Sequence, residues 1–136
     1  MPRGGPRRTG GRSPTSRRRV EPHPLAARVG ARIKELRREA AMSFVELIAI
    51  SETGRGYLSE LERGLVVPNI EVLDRIAKAL GVSLADVVTF PDEDDRQRLI
   101  DATRLLSQGQ LRGLRKEVEK LAEHQKRGRS QHEPRE

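Results

Sequence analysis

Residues 57–64 read Tyr57-Leu58-Ser59-Glu60-Leu61-Glu62-Arg63-Gly64, and beyond Pro68 residues 73–83 read Leu73-Asp74-Arg75-Ile76-Ala77-Lys78-Ala79-Leu80-Gly81-Val82-Ser83. Leu58 and Leu61 stand three apart, so they share one face of a helix beginning near Gly54. Gly64 ends that helix, because glycine tolerates the left-handed backbone of a C-cap. Asn69 is placed to cap the next helix. Ile70, Leu73, Ile76, Ala77 and Leu80 form its inward stripe, and Gly81 is its stop.

The same punctuation continues in both directions. Upstream, Leu25, Val29, Ile33 and Leu36 lie on one helical face with Arg and Lys between them. Ser43 and Glu46 form a capping box, in which the hydroxyl takes the amide three residues on and the carboxylate reaches back. Val45, Leu47 and Ile48 supply apolar contacts for the short helix that follows. Downstream, Ser83 and Asp86 open a short fifth helix with Leu84, Val87 and Val88. Pro91 and the acidic run Asp92-Glu93-Asp94-Asp95 then mark a boundary near residue 90. Acidic residues favour a helix N-terminus through the macrodipole, so a sixth helix is expected over 92–106. Ser107 and Gln110 open a seventh, whose Leu111, Leu114, Val118 and Leu121 fall at spacings of 3, 4 and 3, a narrow seam of barely two heptads.

Here the chain resembles the phage repressor/Cro family of helix-turn-helix regulators, also called the xenobiotic-response-element type. The Tyr-Leu-Ser-x-x-Glu-Arg-Gly and Ala-Lys-Ala-Leu-Gly-Val-Ser stretches carry the resemblance, which spans residues 25–88. It implies a five-helix repressor-like domain; with the two helices read beyond residue 90 from their own caps and periodicity, the expected fold is all-α, that domain followed by a C-terminal helical hairpin. It also implies a DNA-binding transcriptional regulator that reads the major groove with helix 54–62; because one small helix reads only a few base pairs, a dimeric repressor on two half-sites is expected. Base contacts would fall to Arg55, Gly56, Ser59 and Glu60. An arginine can donate twice to guanine, a serine can read several bases, and a glutamate can accept from cytosine. Ser43, Arg63 and Asn69 would meet the DNA backbone, and Glu62 would pair structurally with Arg37.

The sequence departs from the family pattern around the turn. Phe44 stands where the second helix usually opens with a phosphate-binding Gln, and Ile48 occupies a small-residue position. Glu52 and Thr53 replace a Gly and a hydrophobic residue, so Glu52 is the residue expected to adopt the costly left-handed conformation.

Composition bounds the rest. The 136 residues are 35% charged, 35% hydrophobic and only 2% aromatic. A core must therefore come from Leu, Ile, Val and Ala, which suits a small helical domain. Of the net charge of +7, most lies at the N-terminus: residues 1–24 hold seven Arg and one Glu, against 20 Lys and Arg and 19 Asp and Glu in residues 25–136. Residues 1–24, rich in Gly, Pro, Ser and Thr, are expected to be a disordered basic arm suited to a polyanion. The preference for Arg over Lys, 22 to 5, also has a plain source in GC-rich coding. The expected divisions are the arm 1–24, a DNA-binding domain 25–90, a dimerisation segment 91–124 using Leu99, Leu105, Leu106, Leu111, Leu114, Val118 and Leu121, and a disordered tail 125–136.

The absence of Cys excludes disulfides and thiolate zinc sites. His23, His124 and His132 are too scattered for metal-ligand spacing, so neither metal nor cofactor is expected. Gly4-Gly5 and Gly10-Gly11 lead into no strand or helix and are not a phosphate loop. No catalytic residue is assigned. No apolar run approaches the ~20 residues of a membrane span, and nothing apolar follows the N-terminal charges, so a cytoplasmic protein is expected. Two other readings remain: a protein-binding adaptor of the bridging-coactivator kind, and an antitoxin-type autorepressor; separately, residues 92–124 are a possible site for a protein partner.

Overall fold

In the computed structural model, which describes residues 21–130, the chain is all-α. It forms α1 (Pro24–Glu39), α2 (Phe44–Ser51), α3 (Arg55–Glu62), α4 (Ile70–Leu80), α5 (Leu84–Val87), α6 (Asp95–Thr103) and α7 (Gln108–Ser130). It divides into two compact units between Val88 and Thr89. The expected basic arm lies outside the described residues up to position 20, as does the tail beyond 130.

In the first unit α1 packs on α3, α2 on α4, and α4 and α1 on α5. Ile33, Leu47, Leu58, Leu61, Ile76 and Val87 are fully buried, joined by Ala26, Val29, Leu36, Leu65, Val66, Ala77 and Leu80. Each large aliphatic side chain removed from water contributes about 1.5–3 kcal/mol, so this core stabilises the domain without any aromatic residue among its buried members. The caps read from the sequence are present. Asn69 Oδ1 accepts from Val72 N at 2.9 Å, Ser83 and Asp86 form a reciprocal box, and Gly64 and Gly81 take φ of 75° and 70°.

Several expected core positions face water instead. Leu25 is 54% exposed and Ile70 is 71% exposed, and Val45 and Val88 are also exposed. Leu25 and Ile70 belong to the first turns of their helices. In α1, Ala26 rather than Leu25 takes the inward place of that turn. The cap of α1 was not foreseen: His23 Nδ1 accepts from Ala26 N at 3.3 Å, and His23 N donates to Gly64 O at 3.0 Å.

Arg32 is buried, a surprising place for a guanidinium. Its Nε donates to Asp86 O at 3.0 Å and its Nη1 to Glu35 Oε2, also at 3.0 Å. A cation on a carbonyl of α5 ties α1 to that short helix and suits the negative end of its dipole. Among the described residues, no buried side-chain nitrogen or oxygen lacks a hydrogen-bond partner.

The second unit holds α6 and α7. The sixth helix is shorter than the expected 92–106. Asp94 Oδ1 caps it by accepting from Gln97 N at 2.8 Å, which leaves Asp92 and Glu93 ahead of it. Tight three-residue bonds from Arg104, Leu105 and Leu106 close its other end. The seventh helix is longer than expected and runs through 125–130, where a disordered tail was anticipated. Gln125, Lys126 and Arg127 are good helix formers, and a polar composition alone does not stop a helix already under way. Among the described residues no helix is long and apolar enough to cross a membrane.

Candidate nucleic-acid interface

The turn between α2 and α3 is built from polar residues. Glu52 takes φ 55° and ψ 35°, the left-handed conformation expected of it. Ser51 Oγ donates to Leu47 O at 2.5 Å and shares a hydrogen bond of 2.9 Å with Thr53 Oγ1. Both side chains are buried. Thr53 thus fills an apolar position because Ser51 satisfies its hydroxyl, and burying that hydroxyl unpaired would be costly.

From this turn α3 is presented by its inner face. Leu58 and Leu61 are buried. Arg55, Gly56 and Arg63 are exposed, and Ser59 and Glu60 are half-buried on the same outer side. Gly54 caps the helix without a side-chain bond, leaving the positive end of its dipole uncovered. Tyr57 lies on one flank, half-buried. Burial pushes its phenol above the ordinary value, and nearby Arg75 opposes the shift.

Two features set the angle of α3. Arg37 Nε donates to Glu62 Oε1 at 3.0 Å, with both side chains nearly buried. Arg37 also donates to Met42 O at 3.3 Å, and its Cζ lies 5.9 Å from the centre of the Phe44 ring. Phe44, the departure from the family's Gln, therefore packs beside the ion pair. The second feature is a close crossing of α1 over the end of α3. A Cβ at Gly30 would collide with Leu61 O and the Glu62 carbonyl, and one at Gly64 would collide with Ala27. Neither Gly30 nor Phe44 was singled out for this role from the sequence; only the crossing itself reveals it.

The three expected backbone contacts are differently placed. Arg63 is exposed just past α3. Asn69 uses its carbonyl oxygen to cap α4, so its amide group remains to donate. Ser43 is already engaged: its Oγ accepts from Glu46 N at 3.1 Å, and its own N–H donates to Glu46 Oε2 at 2.6 Å. The Ser43 amide, and then its hydroxyl, hold the Glu46 carboxyl below its ordinary value. An ionised glutamate thus occupies the start of α2, which leaves little room there for a phosphate.

The dimerisation residues expected in 91–124 all lie in the second unit. Leu99, Leu105, Val118 and Leu121 are exposed, whereas Leu106, Leu111 and Leu114 are half-buried. Among the described residues no cluster of His, Asp or Glu is arranged to hold a metal ion.

Residues 28–90, which take in most of α1 and all of α2–α5, match the family described as a helix-turn-helix domain. An uncharacterized HTH-type transcriptional regulator, y4dJ of Sinorhizobium fredii, is 43% identical over 65 residues, covering 48% of this chain and 84% of that protein. The chain belongs to the helix-turn-helix transcriptional regulators. The regulator is also 35% identical over 60 residues to the immunity repressor protein of Bacillus phage phi105, covering 44% of this chain but only 42% of the repressor. With a further relative the likeness extends past α5. The HTH-type transcriptional regulator SinR of Bacillus subtilis is 28% identical over 109 residues, covering 77% of this chain and 98% of that protein.

Proposed function

We propose that the regulator is a sequence-specific repressor that binds as a dimer and reads the major groove with α3. The observation that carries this is the two-sidedness of α3. Leu58 and Leu61 anchor it from within, while Arg55, Gly56, Ser59 and Glu60 are presented together on its outer side. Arg55 is the residue suited to guanine, and Gly56 lets the helix approach the base edges closely. Arg63 and the Asn69 amide contact phosphates on the far side of the groove, and Ser43 contributes less because Glu46 occupies it. The basic arm adds sequence-independent attraction to the duplex, weakened by salt as counterion release requires.

One short helix reads few base pairs, so a dimer engaging two half-sites supplies the specificity. Its contact is assigned to the exposed apolar residues of 91–124. Bound over a promoter in the cytoplasm, the dimer acts by occupying DNA and carries out no reaction. The name of the phage immunity repressor supports repression as the outcome.

Selection of binding sites from random duplexes by the purified full-length chain tests the reading. It should return an inverted repeat whose half-sites lie about one helical turn apart, about 34–36 Å, or a multiple of it. Recovery of unenriched sequence would contradict it.

A further inference from the structure

We propose that α7 pairs in parallel and in register with α7 of a second copy, as a short two-stranded coiled coil. This deepens the dimeric reading above and rests on it. The helix has 23 residues, a length of about 35 Å. From Arg115 to Ser130 every residue is exposed, although Leu121 and Val118 are 70% and 45% exposed apolar side chains. Most helical stability in proteins comes from packing an apolar face rather than from propensity, and the apolar stripe of α7 calls for a cover.

The seam says which cover. Leu111, Val118 and Gln125 fall at a positions of a heptad, and Leu114 and Leu121 fall at d. A β-branched residue at a with leucine at d favours parallel dimers, and a polar residue at a single a position fixes register. In parallel register each apolar residue meets its own counterpart, giving four apolar layers. The two Gln125 amides then close the seam by bonding to each other. Along the edges Gln110 faces the second copy's Arg115, Glu117 faces its Ala122, and His124 faces its Arg129.

The antiparallel alternative is penalised by charge. The register that also makes four apolar layers sets Leu111 against the second copy's Leu121 and Leu114 against its Val118. It then brings Glu117 beside Glu117 and Arg115 beside Arg115, and like charges at facing edge positions are destabilising. Sliding the antiparallel pair by one heptad in either direction separates these charges but leaves only two apolar layers. The parallel arrangement also places the N-terminal ends of both α7 helices side by side.

The chain contains no Cys, so single cysteines report the pairing without background. Val118→Cys and Gln125→Cys, both at exposed positions, are each introduced into the full-length chain and mildly oxidised, with sedimentation run in parallel. Both variants should form covalent dimers with themselves. In any antiparallel register at most one can, because the two positions are seven residues apart. If only one variant crosslinks, or neither does while sedimentation still shows a dimer, the parallel pairing is overturned and the dimeric reading survives. A monomer in sedimentation at micromolar concentration would overturn both.

Discussion

Arg37 Nε lies 3.0 Å from Glu62 Oε1, and the pair joins the end of α1 to the last residue of α3. The side chains are 12% and 9% exposed, so neither charge has much water to fall back on. Removing one partner strands the other, a loss of about 3 kcal/mol where burial is nearly complete. Glu62→Ala and Arg37→Ala should each lower stability by that order, and the double mutant should lose much less than the sum. Urea melts of the three variants measure this; strictly additive losses would show that the two residues do not support each other.

Two non-glycine residues flank α2 in left-handed backbone, Ala41 at φ 50° and Glu52 at φ 55°. Relief of that conformation is worth about 1–2 kcal/mol, partly offset by the freedom glycine adds to the unfolded chain, about 0.4–1 kcal/mol. Ala41→Gly should therefore stabilise the domain by about 0.5–1 kcal/mol. Glu52→Gly should gain somewhat more, since it also removes a negative charge from a helix C-terminus. A fall in melting temperature for both would mean that the turns are not strained.

Gly30 and Gly56 offer a contrast between a packed and an open glycine. A methyl group at Gly30 meets the backbone of Leu61 and Glu62, whereas one at Gly56 meets nothing within 4 Å. Gly30→Ala should destabilise by about 1–3 kcal/mol through overpacking. Gly56→Ala should stabilise by up to about 1 kcal/mol through helix propensity, yet weaken binding to the selected operator. Equal effects of the two substitutions on thermal melting would remove the crossing as the reason for Gly30.

These cases show which parts of the molecule were legible in advance. Ser43 with Glu46, Ser83 with Asp86, Asn69, Gly64 and Gly81 were readable because a cap is written within three or four residues of chain. Glu52 was readable because it stands where the family pattern carries a Gly in the turn. Arg32 and Gly30 were not, since their roles exist only where α1 meets α5 and α3, residues more than thirty positions away. Ala41 gave no sign either: alanine is the best helix former and carries no mark of a left-handed turn. Ile70 misled because apolar periodicity includes the first turn of a helix, which its neighbours do not cover. The end of α7 is not legible in composition, because a polar stretch that forms a helix and one that does not look alike in sequence. In the interface, the candidate base-reading positions followed from the resemblance, while the occupied state of Ser43 needed the Glu46 geometry.

Acid should reveal the capping box. The Glu46 carboxyl lies below its ordinary value of 4.5 in the folded domain, chiefly because the Ser43 amide donates to it. A depressed value means the contribution is fully present above pH 4.5 and is lost as pH falls through the lower folded value. Asp94, held down by Gln97 at the start of α6, has the same sign from an ordinary value of 3.8. Melting temperature followed from pH 6 downward should fall less steeply for Glu46→Gln than for the unmodified chain once pH drops below 4.5. Superimposable acid limbs would show that the carboxylate does not support the helix start.

Whether the outer side of α3 reads bases turns on Arg55. Its side chain is exposed, so Arg55→Ala should leave folding unchanged. The measurement is a titration of both proteins on the selected operator and on a scrambled duplex at one fixed salt concentration. Base reading by Arg55 requires a loss of about 1–3 kcal/mol on the operator, relaxed preference at one position in each half-site, and almost no change on the scrambled duplex. An equal loss on both duplexes, or no loss on either, would contradict it.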